Sequence, residues 1–413
     1  YKFIDMDNSL RRYLKISFIN LGIVAAIGSI LRYKIAYSLP FFYFKHLLHA
    51  HSNFAFVGWI SHTLMVLMIY YLQNQTGKDE YAYYKKYLVA NLVAAYGMLI
   101  VFPIQGYGLF SIFFSMLSII VAYTFAYSFW RDLNLLKEKS IVHSWFKGAL
   151  LLNIVSSAGT FALTYMMVNR IVHQTWYLGA QYYYLHFQYN GWFLFVCIGL
   201  LYTLVPKELS QEKVHKQIFW LFMLSIFPAY FLSALWMPLP SWMFIVIIIA
   251  SLAQFYAWVL LVIFLYKNRH NIANTLSIHG KRLLLLSGIA LTVKFSLQLG
   301  SNIPALSKLA FGFRPIVIAY LHLVFLGVIT LFLLGYIFSF VNRKARKWML
   351  IGLTFFAVGI FFNEFVLMVQ GVASFSYTAI PYINQILLIV ALTMFFGILL
   401  MAISRFKRDK PKS

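Results

Sequence analysis

The stretch Lys45-His-Leu-Leu-His-Ala-His51-Ser-Asn-Phe-Ala-Phe-Val-Gly-Trp-Ile-Ser-His62-Thr-Leu-Met-Val-Leu-Met-Ile-Tyr-Tyr-Leu72 decides the fold class. Past Lys45 it carries no Asp, Glu, Lys or Arg up to Leu72, and roughly 20 apolar residues suffice for a helix to cross the hydrocarbon layer. It reads as a membrane-spanning helix with histidines inside it. Working outward, comparable runs lie near 14–36, 45–72, 86–106, 108–130, 144–168 and 180–205, then near 216–236, 241–266, 281–303, 314–340, 347–370 and 381–404. Pro103 and Gly106 separate the third run from the fourth. An all-α, polytopic membrane protein of about twelve transmembrane helices is expected, with one membrane domain over 1–413 and no soluble domain, linker or convincing internal repeat.

Composition agrees. Of the 413 residues 62% are hydrophobic and 11% charged, mean hydropathy is +0.78, and soluble chains carry about 25% charge. The formal charge of +24 is not a nucleic-acid signature, because the cations gather in short loops. Assigning alternate loops to opposite sides puts 27 of the 34 Lys and Arg on one side and six on the other, with Lys294 inside a helix. The rich side is expected to be cytoplasmic. Both termini then lie inside, including the tail residues Arg405, Lys407, Arg408, Lys410 and Lys412, and even-numbered helices start at the outer face. Lys2, Asp5, Asp7, Arg11 and Arg12 precede a first apolar segment without the pattern of a cleaved signal, so that segment is expected to stay. The single cysteine, Cys197, excludes a disulfide framework and a thiolate metal cage.

Histidine inside a membrane helix is costly and marks function. His51 and His62 lie in the second helix, His186 in the sixth and His322 in the tenth. His51, His186 and His322 each fall six to eight residues into an even helix, a shared depth of roughly 9–12 Å. One embedded histidine is read equally well as a hydrogen-bonded core residue; three at one level point to metal or haem ligation, since an axial ligand can approach each face of a porphyrin. His46 and His49 sit at the membrane edge, and His143, His173, His215, His270 and His279 are expected in loops.

With the helices placed, the sequence resembles the catalytic subunit (subunit I) of the haem–copper oxidase superfamily, on the side of the C-type cytochrome oxidases and nitric oxide reductases. The likeness runs through the twelve-helix core. It is carried by His51-Ser-Asn-Phe-Ala-Phe-Val-Gly-Trp59 through Tyr70, Tyr71 and Gln73, by His186-Phe-Gln-Tyr-Asn-Gly-Trp192 through Tyr202, Pro206 and Lys207, and by Tyr320-Leu-His322-Leu-Val-Phe-Leu-Gly327. The resemblance implies His51 and His322 as axial ligands of a low-spin haem b, with His186 at a vestigial copper position. Tyr320 stands where the family has the high-spin haem histidine. Ala229 and Tyr230 stand where it has the copper histidine pair, and Gln298 where it has an acidic residue. Copper is therefore not expected, and catalysis is left uncertain.

Arg314 and Lys308 are candidate partners for haem propionates, against the plainer reading of solvated interfacial cations. Tyr320 either ligates a second haem through its phenolate or fills the vacated space and hydrogen-bonds to His186. Lys294 and Glu364 are embedded charges expected to pair or to belong to a proton path. His62 belongs to a deeper polar cluster or is a hydrogen-bonded core residue.

The function expected is electron transfer by a haem-binding subunit of a respiratory assembly in a bacterial inner membrane, with cytochrome c or quinol as donor and other respiratory subunits as partners. The alternatives left open are an active terminal oxidase or nitric oxide reductase with an unusual centre, and a haem-free transporter or structural membrane protein.

Overall fold

The computed structural model describes residues 8–206, 208–209, 213–273, 276–340 and 347–404, apart from the side chains of 273, 308–310 and 340. Lys2, Asp5, Asp7, Lys207, the tail cations and the side chain of Lys308 lie outside the described residues. The described chain is helical, with no strand. Among the described residues eleven helices are long and apolar enough to cross a membrane: α1 (Asn8–Ala36), α2 (Phe44–Thr76), α3 (Glu80–Gln105), α4 (Leu109–Leu135), α5 (Ile141–Val168), then, after the less apolar α6 (174–203), α7 (Lys213–Ala234), α8 (Ser241–Lys267), α9 (Ile278–Gly300), α10 (Arg314–Ser339), α11 (Lys347–Phe375) and α12 (Ile383–Ile403). Every expected segment falls on one of these helices to within a few residues. α6 differs in composition because Gln181, three consecutive tyrosines, His186, Gln188 and Asn190 interrupt its apolar run.

Helix is the form an apolar chain takes in lipid because it satisfies its own backbone groups. Where helices end, local chemistry ends them. Gly77, at φ 69°, closes α2 in the left-handed conformation, and the Asp79 carboxylate accepts from the Ala82 N–H at 3.3 Å to open α3. Apolar side chains on the outer faces stay uncovered, among them Ile104 (76% exposed), Ile249 (61%) and Phe361 (65%). A belt of this kind is stable against acyl chains and not against water. The chain is a polytopic helical membrane protein.

The helices form two compact units. The first comprises residues 1–121, 277–280 and 337–413, and so holds α1 to α3, the start of α4, α11 and α12. In it α12 packs on both α1 and α11. Gly352 and Gly397 let α11 and α12 meet backbone to backbone: a Cβ on Gly352 would lie 2.5 Å from the Gly397 carbonyl oxygen, and one on Gly397 2.7 Å from that of Gly352. Lipid gives no hydrophobic drive between helices, so close contact of small residues supplies the attraction. The second unit comprises 122–276 and 281–336. Its core is aromatic, with the Trp145 ring 5.0 Å from Phe195, 5.3 Å from Phe219 and 5.8 Å from Phe222 between centroids.

Among the described residues three helices pass through π-helix partway. α2 runs as π-helix over Phe54–Ser61, α6 over Phe187–Phe193 and α10 over Leu323–Thr330. A π-turn shifts the backbone ladder; such turns are rare and are frequently found at functional sites. Neighbouring side chains meet the carbonyls it displaces. Asn20 of α1 donates to the Gly58 carbonyl at 2.6 Å and Asn91 of α3 to that of Val57 at 3.0 Å. In the second unit Ser287 of α9 donates to the Val328 carbonyl at 2.7 Å.

Candidate functional site

Each of the three histidines read at one depth stands at the entrance to one of these π-turns. His51 lies three residues before Phe54, and His186 and His322 immediately precede Phe187 and Leu323. The sequence shows no internal repeat, yet every fourth helix from α2 carries the same backbone device behind a histidine.

In the first unit the His51 imidazole lies against α1. A Cβ on Gly28 would stand 3.2 Å from His51 Cε1, so glycine there leaves the ring its place. His51 Nδ1 is buried without a hydrogen bond of good geometry and faces the Val24 carbonyl one turn before Gly28. Arg32, one turn after Gly28, lies within electrostatic reach of His51 and of Glu364. Glu364 accepts from the Asn363 amide at 3.0 Å. His51, Arg32 and Glu364 therefore share one polar patch between α1, α2 and α11.

In the second unit His322 Nδ1 contacts the Ile318 carbonyl oxygen at 2.8 Å. A carbonyl only accepts, so Nδ1 carries the proton and the lone pair is on Nε2. Metal-binding histidines use this arrangement, because the backbone bond fixes both tautomer and ring orientation.

His186 is different. Its Nε2 donates to the Ile226 carbonyl at 2.9 Å and its Nδ1 accepts from the Asn190 amide at 3.1 Å. Both ring nitrogens are engaged and the side chain is buried, which leaves no lone pair for a metal in this geometry. Tyr230 packs edge-on, 6.0 Å from the His186 centroid, and donates its hydroxyl to the Gly179 carbonyl at 2.9 Å.

Tyr320 lies beside Tyr189, which is also near the side chains of Ser233 and Asn190. The hydrogen bond expected between Tyr320 and His186 is not formed, because Ile226 and Asn190 already engage both imidazole nitrogens. Arg314 opens α10 and is exposed.

Lys294 and Gln298 stand one turn apart on α9, both buried. Lys294 Nζ and Gln298 Oε1 have no hydrogen-bond partner among the described residues; the ammonium lies 4.1 Å from the Phe295 ring centroid. Lys294 lies within electrostatic reach of His186. His62 ends the first π-turn with both ring nitrogens buried and unpartnered among the described residues, edge-on to Tyr13 at 6.4 Å.

Several residues expected in loops are structural. His215 is buried at the start of α7, its Nδ1 2.9 Å from the Tyr202 hydroxyl and its Nε2 2.8 Å from the Leu209 carbonyl. His143 is buried in the first turn of α5, and His173 caps α6 by accepting from the Trp176 N–H at 3.4 Å. Sequence reading missed Gly28, Arg32 and the π-turn donors Asn20 and Asn91. A carboxamide within an apolar helix is a visible signal; its acceptor on another helix is not.

In its own unit the His322 ring is pinned by a backbone carbonyl of its helix, and in the other the His51 ring is seated by a glycine with a cation in electrostatic reach. Among the described residues no three His, Cys, Asp or Glu side chains gather as a metal-ion site. No protein-family model matches the chain, and no curated protein matches it significantly.

Proposed function

We propose that the chain is a haem b-binding membrane protein of the oxidase subunit I type, a twelve-helix bundle of the bacterial inner membrane with both termini cytoplasmic. His51 and His322 are the axial ligands of one low-spin haem, and the function is electron transfer within a respiratory assembly. The observation that carries this reading is the tautomer of His322: its Nδ1–H is spent on Ile318, so the nitrogen at the other end of the ring holds a lone pair. The seat of His51 against Gly28 and the π-turn after each histidine support it.

Bound between two imidazoles, a haem supplies one-electron exchange at a saturated iron. The chain's own residues orient the rings, and Arg32 and Arg314 offer guanidinium groups to carboxylates. His186, with both nitrogens engaged, is a packing residue of this site. Electrons come from a quinol or from a cytochrome c on another chain; the sequence itself holds no Cys-x-x-Cys-His attachment motif.

Absorbance spectra of protein expressed with ample haem, with a pyridine haemochrome assay, test the reading. One haem b per chain is expected, with no spectral change under carbon monoxide, and His51→Ala and His322→Ala each abolish the low-spin spectrum. A colourless preparation overturns the proposal. A second, carbon monoxide-binding haem would instead place Tyr320 at a catalytic centre.

A further inference from the structure

A groove of about 460 Å³ runs along the second unit between α4 and α5. Its ends differ in chemistry. Along its length it is walled by apolar and aromatic side chains, among them Tyr127, Leu151 and Ile154, and it closes on Trp130, Arg131 and Asn134. Tyr127 is 74% exposed and Leu151 40%, so the groove opens outward, in the direction of lipid.

The polar end is built by contacts between the two helices. Lys147 of α5 donates Nζ to Asn134 Oδ1 at 2.6 Å, and the same ammonium lies 5.5 Å from the Trp130 ring centroid. One donor of three is used there. Arg131 Nε bonds the Asp132 carboxylate at 2.8 Å. From Arg131 to Lys147 the chain carries four cations, Arg131, Lys137, Lys139 and Lys147, against two anions, Asp132 and Glu138, an excess of two positive charges.

We propose that this groove is a binding site for one anionic phospholipid, with an acyl chain along Tyr127, Leu151 and Ile154 and the headgroup phosphate on Lys147. The volume is that of a small ligand, so the groove itself takes one acyl chain and the rest of the lipid lies outside it. The occupant is amphipathic because the groove is. It is anionic because the polar end carries excess positive charge, whereas a zwitterionic headgroup would bring its own cation against Lys147. Trp130 and Tyr127 mark the interfacial depth at which headgroups sit, and the basic turn matches the leaflet in which anionic lipids are enriched.

The test is native mass spectrometry of the purified full chain, delipidated and re-exposed to equimolar phosphatidylglycerol and phosphatidylcholine. Wild type is expected to retain one phosphatidylglycerol. Lys147→Gln should reduce that retention about five-fold, the effect of one cation near a charged headgroup, and Lys147→Arg should keep it. Leu151→Trp fills the apolar end with every charge in place and should expel the lipid as well. Equal retention of the two lipids overturns the proposal, as does undiminished retention in either Lys147→Gln or Leu151→Trp with the wild-type thermal transition. None of these readouts depends on haem, so the site stands or falls separately from the proposed function.

Discussion

His186 donates from Nε2 to the carbonyl oxygen of Ile226 at 2.9 Å, across from α6 to α7. With Asn190 on the other nitrogen, the bond turns a ring at an apparent ligand position into a cross-link between two helices. His322 instead bonds through Nδ1 to a carbonyl of its own helix, that of Ile318. The same residue type at the same place before a π-turn thus has two chemistries, set by what stands opposite.

His186→Ala should consequently cost stability without touching a haem spectrum. Loss of two hydrogen bonds and a buried ring predicts about 2–4 kcal/mol, read as a lowered thermal transition in detergent. Metal analysis should give the same copper content for variant and wild type. A variant that lost stoichiometric copper would show the histidine to be a ligand.

Gly28 should tolerate no larger side chain. A Cβ there meets His51 Cε1 at 3.2 Å, so Gly28→Ala displaces the ring slightly and Gly28→Val strongly. Overpacking of this kind costs about 1–3 kcal/mol, and the haem-to-protein ratio should fall in the order glycine, alanine, valine. Equal ratios in all three would separate His51 from haem ligation.

Asn20→Leu tests the π-turn of α2. Asn20 donates to the Gly58 carbonyl at 2.6 Å and accepts from the Tyr96 hydroxyl at 2.7 Å; the variant leaves both groups without this partner. A destabilisation of about 1–2 kcal/mol is expected, toward the lower end because hydrogen bonds within membranes are modest in net worth. Hydrogen exchange at Gly58 to His62 should rise as well, whereas exchange in α12 should not.

Lys294→Met should be neutral or stabilising. An ammonium buried with no hydrogen-bond partner bears a desolvation cost that an apolar chain of similar length removes. Lys294→Glu, which exchanges one buried ion for another, should show no such gain. A marked loss of stability in Lys294→Met would reveal an ion or water partner serving the lysine.

Much of the architecture was legible in the chain because lipid imposes a simple rule. Runs such as 45–72 and 241–266 have to be helical, and they are. The histidines His51, His186 and His322 announced themselves as polar exceptions inside those runs. Their bonding was not legible. His186 depends on a carbonyl 40 residues away, and carbonyls are the same at every position, so no residue type at Ile226 signals it. His215 looked like a loop residue because charged neighbours precede it, yet Tyr202 and the Leu209 carbonyl draw it into the interior.

Sequence by itself determined that this is a helical membrane protein, since the free energy of an apolar segment in lipid depends on composition and length alone. Tertiary structure decided where the helices change pitch and which imidazole nitrogens retain a lone pair. Those outcomes turn on single donors and acceptors such as Asn20, Asn190 and Ser287 arriving from other helices, and a hydrogen bond exists only where folding brings its two ends within about 3 Å.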